Sequence, residues 1–143
     1  MTDLNKFFDL SAYGKAFNME AAMEANKKNL ETFKKANAIL AEGASAVAAR
    51  QLELTQNAIE ENIEAARTLA TAKGVEEFSA KQNDMLRTSF EKGVENATEI
   101  FNIAKKAQTD ASELVNKQVA ENTELFSKEA KKAAEAAAPA AKK

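Results

Sequence analysis

The scarcity of helix-breaking residues is the feature that most constrains the fold of this chain. The sequence contains four glycines and one proline, Pro139, so no proline interrupts residues 18 to 138. Proline removes a backbone donor and clashes with the preceding turn of a helix, and glycine is the next least favourable residue in a helix interior. The same stretch is rich in Ala, Glu, Lys, Gln and Leu, which have high helix propensity. The sequence therefore predicts an all-α protein built from long helices.

Two helices follow from the capping and breaking residues along the chain. Asn18 is a suitable N-cap, and Glu20 places a negative charge in the first turn, where the helix dipole favours it. Gly74 is predicted as the C′ glycine that ends this first helix after residue 73. Val75 then begins a second helix that runs to about residue 133. Gly43 leaves open a break of the first helix into two shorter pieces.

A 3-4 spacing of mostly apolar residues predicts a packing stripe on each helix. On the first helix the stripe comprises Met23, Asn26, Leu30, Phe33, Asn37, Leu40, Ala44, Val47, Gln51, Leu54 and Ala58, after which bulky residues move to Leu52, Ile59, Ile63, Ala66 and Leu69. On the second it comprises Leu86, Phe90, Gly93, Ala97, Ile100, Ala104, Ala107, Ala111, Leu114 and Gln118, widened by Val94, Phe101, Val115, Leu125 and Phe126. Polar residues on such stripes can fix register. Long amphipathic helices of this kind predict an extended antiparallel hairpin or a coiled-coil-like bundle.

Opposite charges four residues apart support both predicted helices. In five pairs the glutamate precedes the lysine, which is the favourable order and contributes about 0.2–0.5 kcal/mol per pair. The pairs are Glu24 with Lys28, Glu31 with Lys35, Glu77 with Lys81, Glu113 with Lys117 and Glu124 with Lys128. Their expected role is to keep exposed helices formed and in solution.

Composition divides the chain into three segments. Residues 1–17 form an aromatic N-terminal segment whose large side chains are Leu4, Phe7, Phe8, Leu10, Tyr13 and Phe17. Residues 18–127 form the helical domain. Residues 128–143 form an Ala/Lys-rich, low-complexity tail that has no large apolar side chain and cannot build a core. We expect this tail to be a fraying helix end followed by a basic, disordered tip.

Residue composition excludes most catalytic and metal-binding chemistries. The chain has no Cys, His or Trp, so it lacks the ligands of structural zinc and iron–sulfur sites and the residues of thiol and Ser–His–Asp catalysis. The cluster of Glu60, Glu61 and Glu64 offers carboxylates for acid–base chemistry or Mg²⁺, but a solvated helix face is the simpler interpretation. We therefore expect no enzyme activity, metal or cofactor.

Charge and hydropathy constrain the partners and the location. The formal net charge is −2, so no strong field draws the chain to nucleic acid. No apolar run is long enough for a transmembrane helix, and the first residues do not resemble a secretory signal peptide. We expect a soluble, cytoplasmic protein. The larger apolar side chains exceed what a lone hairpin can bury, so oligomerisation or adsorption to a surface should supply the missing contacts.

Several segments together resemble the phasin family, which coats bacterial polyhydroxyalkanoate storage granules. They are FFDLSAYGKAF near the start, VAARQLELTQ at residues 47–56, LATAKGVEEFSAKQNDMLRTSFEKGVENATEIFNIAKKA at 69–107 and a terminal AAPAAKK. The resemblance implies a non-enzymatic, helical coat protein at the granule surface that limits coalescence and controls granule size and number. It also implies homo-oligomers in solution. Some phasins contact the polymer synthase or depolymerase, and the resemblance leaves this open here.

Simple energetics predict where such a coat protein would attach. Burying all six large side chains of the N-terminal segment would contribute roughly 9–18 kcal/mol. Ordering the fourteen backbone units of residues 4–17 costs on the order of 14–28 kcal/mol, so this segment cannot anchor the protein alone. Attachment should be distributed over the helices, through Leu30, Phe33, Leu40, Val47, Leu54, Ile59, Ile63, Leu86, Phe90, Val94, Ile100, Phe101, Leu114 and Phe126. The N-terminal segment is then an auxiliary contact, or a flap over the same protomer's apolar face.

A second class of function fits the same stripes. A cytosolic coiled-coil adaptor or structural oligomer would pack these residues only against other helices and would not bind granules. It should form an oligomer of fixed stoichiometry that added polymer particles do not change. A coat protein should instead redistribute onto the particles.

Overall fold

A computed structural model describes residues 18–137 and shows two α-helices, α1 (Met19–Ala70) and α2 (Val75–Ala137), with no strand in that range. The helices pack against each other as an antiparallel hairpin, which confirms the predicted all-α hairpin. Predictions for the aromatic N-terminal segment and for residues 138–143 lie outside the described residues.

The ends of the helices follow from local hydrogen bonds. The side-chain Oδ1 of Asn18 accepts a hydrogen bond from the backbone N–H of Ala21 at 3.3 Å, so the predicted N-cap of α1 is confirmed. The predicted role of Gly74 is wrong. α1 already ends at Ala70, and Gly74 does not have the positive φ of a C′ glycine. Its carbonyl instead accepts the hydrogen bond of Phe78 N–H at 3.0 Å, so Gly74 caps the start of α2.

The hairpin comprises two compact units, each formed by a segment of both helices. The terminal unit contains the described residues up to Asn37 and those from Ala111, and the turn unit spans Ala38–Asp110. In the terminal unit Ala25, Ala36 and Ala111 are buried, and the Thr32 hydroxyl donates to Gln118 Oε1 at 3.0 Å.

In the turn unit α1 continues through Gly43 without a break. The absence of a Cβ at Gly43 lets α1 approach Ala107 of α2 closely, since a Cβ at this position would overlap that alanine. The possible break of the first helix at Gly43 does not occur, and Gly43 is a point of close packing between the helices.

The residues shielded between the helices recur with a period of eleven residues. On α1 they include Ala21, Ala25, Thr32, Ala36, Ile39, Gly43, Val47, Arg50, Leu54, Ala65 and Leu69; on α2 they include Met85, Asn96, Ile100, Ile103, Ala107, Ala111, Leu114, Gln118, Asn122 and Leu125. Successive spacings of four, four and three residues make up this period, which differs from the seven-residue spacing of the predicted stripes.

The predicted stripes are therefore correct only where the two periods coincide. On α1 they coincide at Val47 and Leu54, whereas Asn26, Asn37 and Gln51, which were predicted to lie in the interface, are exposed. Gln118 on α2 lies in the interface as predicted, and so do Ile100, Ala107, Ala111, Leu114 and Leu125. Leu69, to which the bulky residues of α1 were predicted to move, is also shielded, whereas the remaining stripe residues are exposed to solvent because they do not fall on the eleven-residue repeat that packs the helices.

Three of the five predicted glutamate–lysine pairs form. Glu24–Lys28, Glu77–Lys81 and Glu124–Lys128 approach to 3.3, 2.7 and 3.7 Å. Within the described helices, Glu31–Lys35 and Glu113–Lys117 do not form ion pairs. Neither α1 nor α2 contains a stretch apolar enough to cross a membrane.

Candidate functional site

The large apolar side chains point outward from the hairpin, while small ones are buried. Among residues 18–136, the only buried hydrophobic residues are three alanines, Ala25, Ala36 and Ala111. The exposed large residues are Met19, Met23, Leu30, Phe33, Leu40, Leu52, Ile59, Ile63, Val75, Phe78, Leu86, Phe90, Val94, Phe101, Val115, Val119 and Phe126. All five phenylalanines of the two helices are in this set. An exposed apolar surface of this extent indicates a site of interaction.

The structure divides the predicted attachment residues into two groups. Val47, Leu54, Ile100 and Leu114 lie half-buried between the helices. Leu30, Phe33, Leu40, Ile59, Ile63, Leu86, Phe90, Val94, Phe101 and Phe126 are exposed and available to a partner. Leu4, Phe7, Phe8, Leu10, Tyr13 and Phe17 lie outside the described residues.

In the terminal unit, one hydrogen bond locates the side on which the aromatic residues gather. Asn122 Nδ2 donates to Asn29 Oδ1 at 2.7 Å across the helix pair. Phe33 follows Asn29 by four residues and Phe126 follows Asn122 by four, and residues one turn apart share a side of a helix. The two rings, 62% and 56% exposed, therefore lie on the same side of the unit.

The opposite side of the terminal unit is charged. There, Lys28, Glu31 and Lys35 of α1 line one shallow groove together with Lys117 and Glu121 of α2. Lys28 and Asn29 are adjacent in the sequence and therefore point about 100° apart, to the two flanks of the interface. The terminal unit thus has one charged side and one side that carries Phe33 and Phe126.

The turn unit has the same division, which its interhelical ion pairs locate. Arg50 Nη2 lies 2.7 Å from Glu99 Oε2, and Lys92 Nζ lies 2.6 Å from Glu61 Oε1. These pairs define the charged side of this unit. Hydrogen bonds to Glu53 and Glu99 raise the pKa of the Arg50 guanidinium, so this cation stays protonated.

Large apolar residues of the turn unit stand two positions away from these ion-pairing residues. Ile59 precedes Glu61, Phe90 precedes Lys92 and Phe101 follows Glu99, each by two residues. Two residues rotate a helix by about 200°, so these side chains point away from the charged side. Phe90 and Phe101 are 73% and 64% exposed. Both helices therefore present large apolar groups on one side of this unit. We call it the charge-free side of the turn unit, and we use the same name for the side of the terminal unit that carries Phe33 and Phe126.

The signal that the predicted stripes missed is the spacing of the charges. Glutamates recur every eleven residues along α1, at positions 20, 31, 42, 53 and 64. All the charged residues of α1 fall on fewer than half of the eleven positions of this repeat. On α2 the same holds with two exceptions, Lys105 and Glu129. An eleven-residue repeat corresponds to three helical turns, so it keeps a side chain on a nearly constant side of a helix.

A polar network fastens the turn between the helices. Lys81 Nζ lies 2.7 Å from Glu77 Oε1 and donates to the carbonyl of Thr68 at 3.5 Å, which satisfies a carbonyl at the end of α1. Glu77 Oε2 accepts a hydrogen bond from the backbone N–H of Lys73 at 3.0 Å. The hydrogen bonds from Lys81 and then from Lys73 lower the pKa of Glu77.

The remaining glutamates do not form a metal centre in the part of the chain described. No group of three or more Asp or Glu residues there is arranged to hold a metal ion. Glu61 of the predicted Glu60–Glu61–Glu64 cluster pairs with Lys92 instead.

Comparison with known proteins identifies a family. A family model described as phasin protein matches residues 20–119, which include most of both helices. No curated protein and no solved structure matches the chain. The matched range covers well over half of the sequence and contains both the interhelical ion pairs and most of the exposed aromatic residues. The chain belongs to the phasin family.

Proposed function

We propose that this protein coats intracellular polyhydroxyalkanoate granules without catalysing a reaction. Its adsorption would limit coalescence and so control the size and number of the granules. The observation that carries the proposal is the outward display of large apolar side chains on one side of each unit, opposite a charged side. Membership of the phasin family supports a granule-associated role and a location at the granule surface in the cytoplasm.

The two sides have complementary tasks in this mechanism. Contact with a water-insoluble polymer removes exposed rings such as Phe33, Phe90 and Phe101 from water, with roughly 1.5–3 kcal/mol for each large side chain that becomes fully buried. The charged side keeps its hydration because it faces the cytoplasm. Two coated granules would then meet through charged, hydrated layers, and the apolar polymer surfaces would not touch.

The same charge-free sides offer a route to self-association when no granule is present. Exposed apolar surface in water is reduced when two copies pack together. We propose that homo-oligomers form in this way and that the granule competes for the same residues. Contact with a polymer synthase or depolymerase would use the charged side, which remains accessible on the granule.

Sedimentation with bare polyhydroxybutyrate particles tests the proposal. Purified protein is mixed with the particles and centrifuged, and circular dichroism is recorded on both fractions. We expect helical protein in the pellet, with an amount that saturates in proportion to particle area. Protein that stays in the supernatant as an oligomer of fixed size would favour the cytosolic coiled-coil adaptor instead.

A further inference from the structure

Neutral amide side chains accompany the aromatic residues on the charge-free sides. In α1 and α2 the only Asn and Gln residues that share repeat positions with the charged groups are Gln56, Asn57 and Asn102. All other Asn and Gln residues of the helices lie at repeat positions that carry no charged residue, apart from Lys105 and Glu129. Amides and charged groups are both well hydrated, so water solubility alone gives no reason to separate them.

In the turn unit, three of these amides stand beside large exposed apolar residues. Asn62 follows Ile59 by three residues and Gln82 precedes Leu86 by four, so each pair shares a side of its helix. Gln108 follows Phe101 by seven residues, close to two full turns. All three amides are exposed. Surface contact through the neighbouring apolar groups would therefore bring the amides to the same surface.

These amides have unused donors. At the helix interface, by contrast, the NH₂ groups of Gln118 and Asn122 donate hydrogen bonds to Asn122 Oδ1 and Asn29 Oδ1. Among the described residues, the side chains of Asn62, Gln82 and Gln108 form no such bond. Each therefore presents an NH₂ group that is hydrogen-bonded to water in solution and needs an acceptor when a surface displaces that water.

The chemistry of the surface decides what happens to such donors. A hydrocarbon offers no acceptor, so every amide pressed against it loses hydrogen bonds. A polyester surface offers ester carbonyl oxygens, which accept hydrogen bonds, and it offers neither donors nor charges. A side that combines apolar rings with neutral donors, and whose only ionic group in the described turn unit is Lys105, matches the polyester.

We propose that Asn62, Gln82 and Gln108 donate hydrogen bonds to ester carbonyls, so that the charge-free side of the turn unit selects a polyester surface over a hydrocarbon one. This inference rests on the proposed granule-coating function and assigns the recognition of the polymer to these amides. The apolar residues supply adhesion to either surface, and the amides supply the discrimination.

The test compares near-isosteric replacements on the two sides of the same unit. The test variant carries Asn62→Leu, Gln82→Met and Gln108→Met. Its matched control carries Asn57→Leu, Gln56→Met and Asn102→Leu on the charged side. Leu and Met are better helix formers than Asn, and circular dichroism verifies that both full-length variants stay helical. Binding isotherms are measured on polyhydroxybutyrate particles and on hexadecane droplets of matched area.

We expect the test variant to bind the polyester about tenfold more weakly than wild type, because three donors are lost, and to bind hexadecane more tightly. The control variant should match wild type on both surfaces. Tighter or unchanged binding of the test variant to both surfaces would overturn amide recognition while leaving the coat function intact. Failure of the wild-type protein to bind polyhydroxybutyrate would overturn the coat function itself.

Discussion

Gly43 of α1 lies so close to Ala107 of α2 that a Cβ at position 43 would overlap the Cβ of the alanine. Gly93 stands in the interior of α2 with no atom near the place of its missing Cβ. The two glycines therefore have the same helix propensity, but only Gly93 has room for a Cβ.

Alanine substitutions at these two positions should change stability in opposite directions. Gly93→Ala should stabilise the hairpin by about 1 kcal/mol through helix propensity. Gly43→Ala gains the same propensity but overpacks the interface, which typically destabilises by about 1–3 kcal/mol. Urea denaturation monitored by circular dichroism measures both. A stabilising Gly43→Ala would show that the helices do not approach each other at this position.

Lysine at exposed phenylalanines of the turn unit should weaken granule binding strongly and leave the hairpin folded. Phe90→Lys with Phe101→Lys removes two rings that would each contribute roughly 1.5–3 kcal/mol when fully buried against the polymer. We expect affinity for polyhydroxybutyrate to fall at least about a hundredfold. The helical content should not change, because both rings face water in the free protein.

A matched control adds the same charge on the other side of α2. Thr98→Lys with Asn102→Lys changes the net charge equally, at positions that share the repeat with charged residues. Binding should stay close to that of wild type. Equal loss in both variants would mean that net charge, and not the charge-free side, governs adsorption.

Deletion of residues 1–17 should weaken granule retention only partly. The exposed apolar residues of both helices remain in this variant, and they are expected to provide most of the attachment. Retention on washed polyhydroxybutyrate particles measures the effect. Complete loss of binding by the truncated protein, with its helices intact, would place the anchor in the N-terminal segment.

The turn between the helices should loosen in acid. The pKa of Glu77 is lowered by its hydrogen bonds from Lys81 and the Lys73 backbone, so the folded state binds a proton less readily than the unfolded state. The stabilising contribution is complete above the ordinary glutamate pKa of about 4.3 and is lost as pH falls through the lower folded value. Amide exchange of Lys73 and neighbouring residues should therefore accelerate in that range.

NMR titration of the Glu77 carboxyl carbon tests the cause of this effect. In the Lys81→Gln variant the pKa of Glu77 should rise towards that of an isolated glutamate, because its principal hydrogen-bond donor is gone. An unchanged pKa would mean that the Lys81 ammonium does not stabilise the Glu77 carboxylate.

Helix content and helix ends were largely predictable because they depend on local chemistry. Asn18 caps α1 through its own side chain, and the lack of proline permits a helix through Gly43. The position of Gly74 was harder to predict, since a glycine before Val75 fits the end of one helix and the start of the next. Only the φ angle of Gly74 and the hydrogen bond from Phe78 separate these two roles.

The packing interface was predictable only in part, because large apolar side chains were assumed to face the partner helix. In this hairpin Leu30 and Phe33 face solvent, whereas Ala25 and Ala36 are buried against α2. Hydropathy alone favours the larger side chains. The distribution of charge would have been the better guide. Glutamates every eleven residues mark the side of α1 that is buried neither against α2 nor against an apolar surface.

The eleven-residue repeat also determines how such a chain can change in length. Removal of eleven residues from α1, matched by eleven from α2, deletes three whole turns from each helix, so the remaining side chains keep their directions. Removal of ten residues from one helix would instead rotate everything beyond the deletion by about 100° and turn exposed rings towards the charged side. Shorter and longer versions of this hairpin should therefore differ by whole repeats, and adsorbed layers of all of them would have the same thickness.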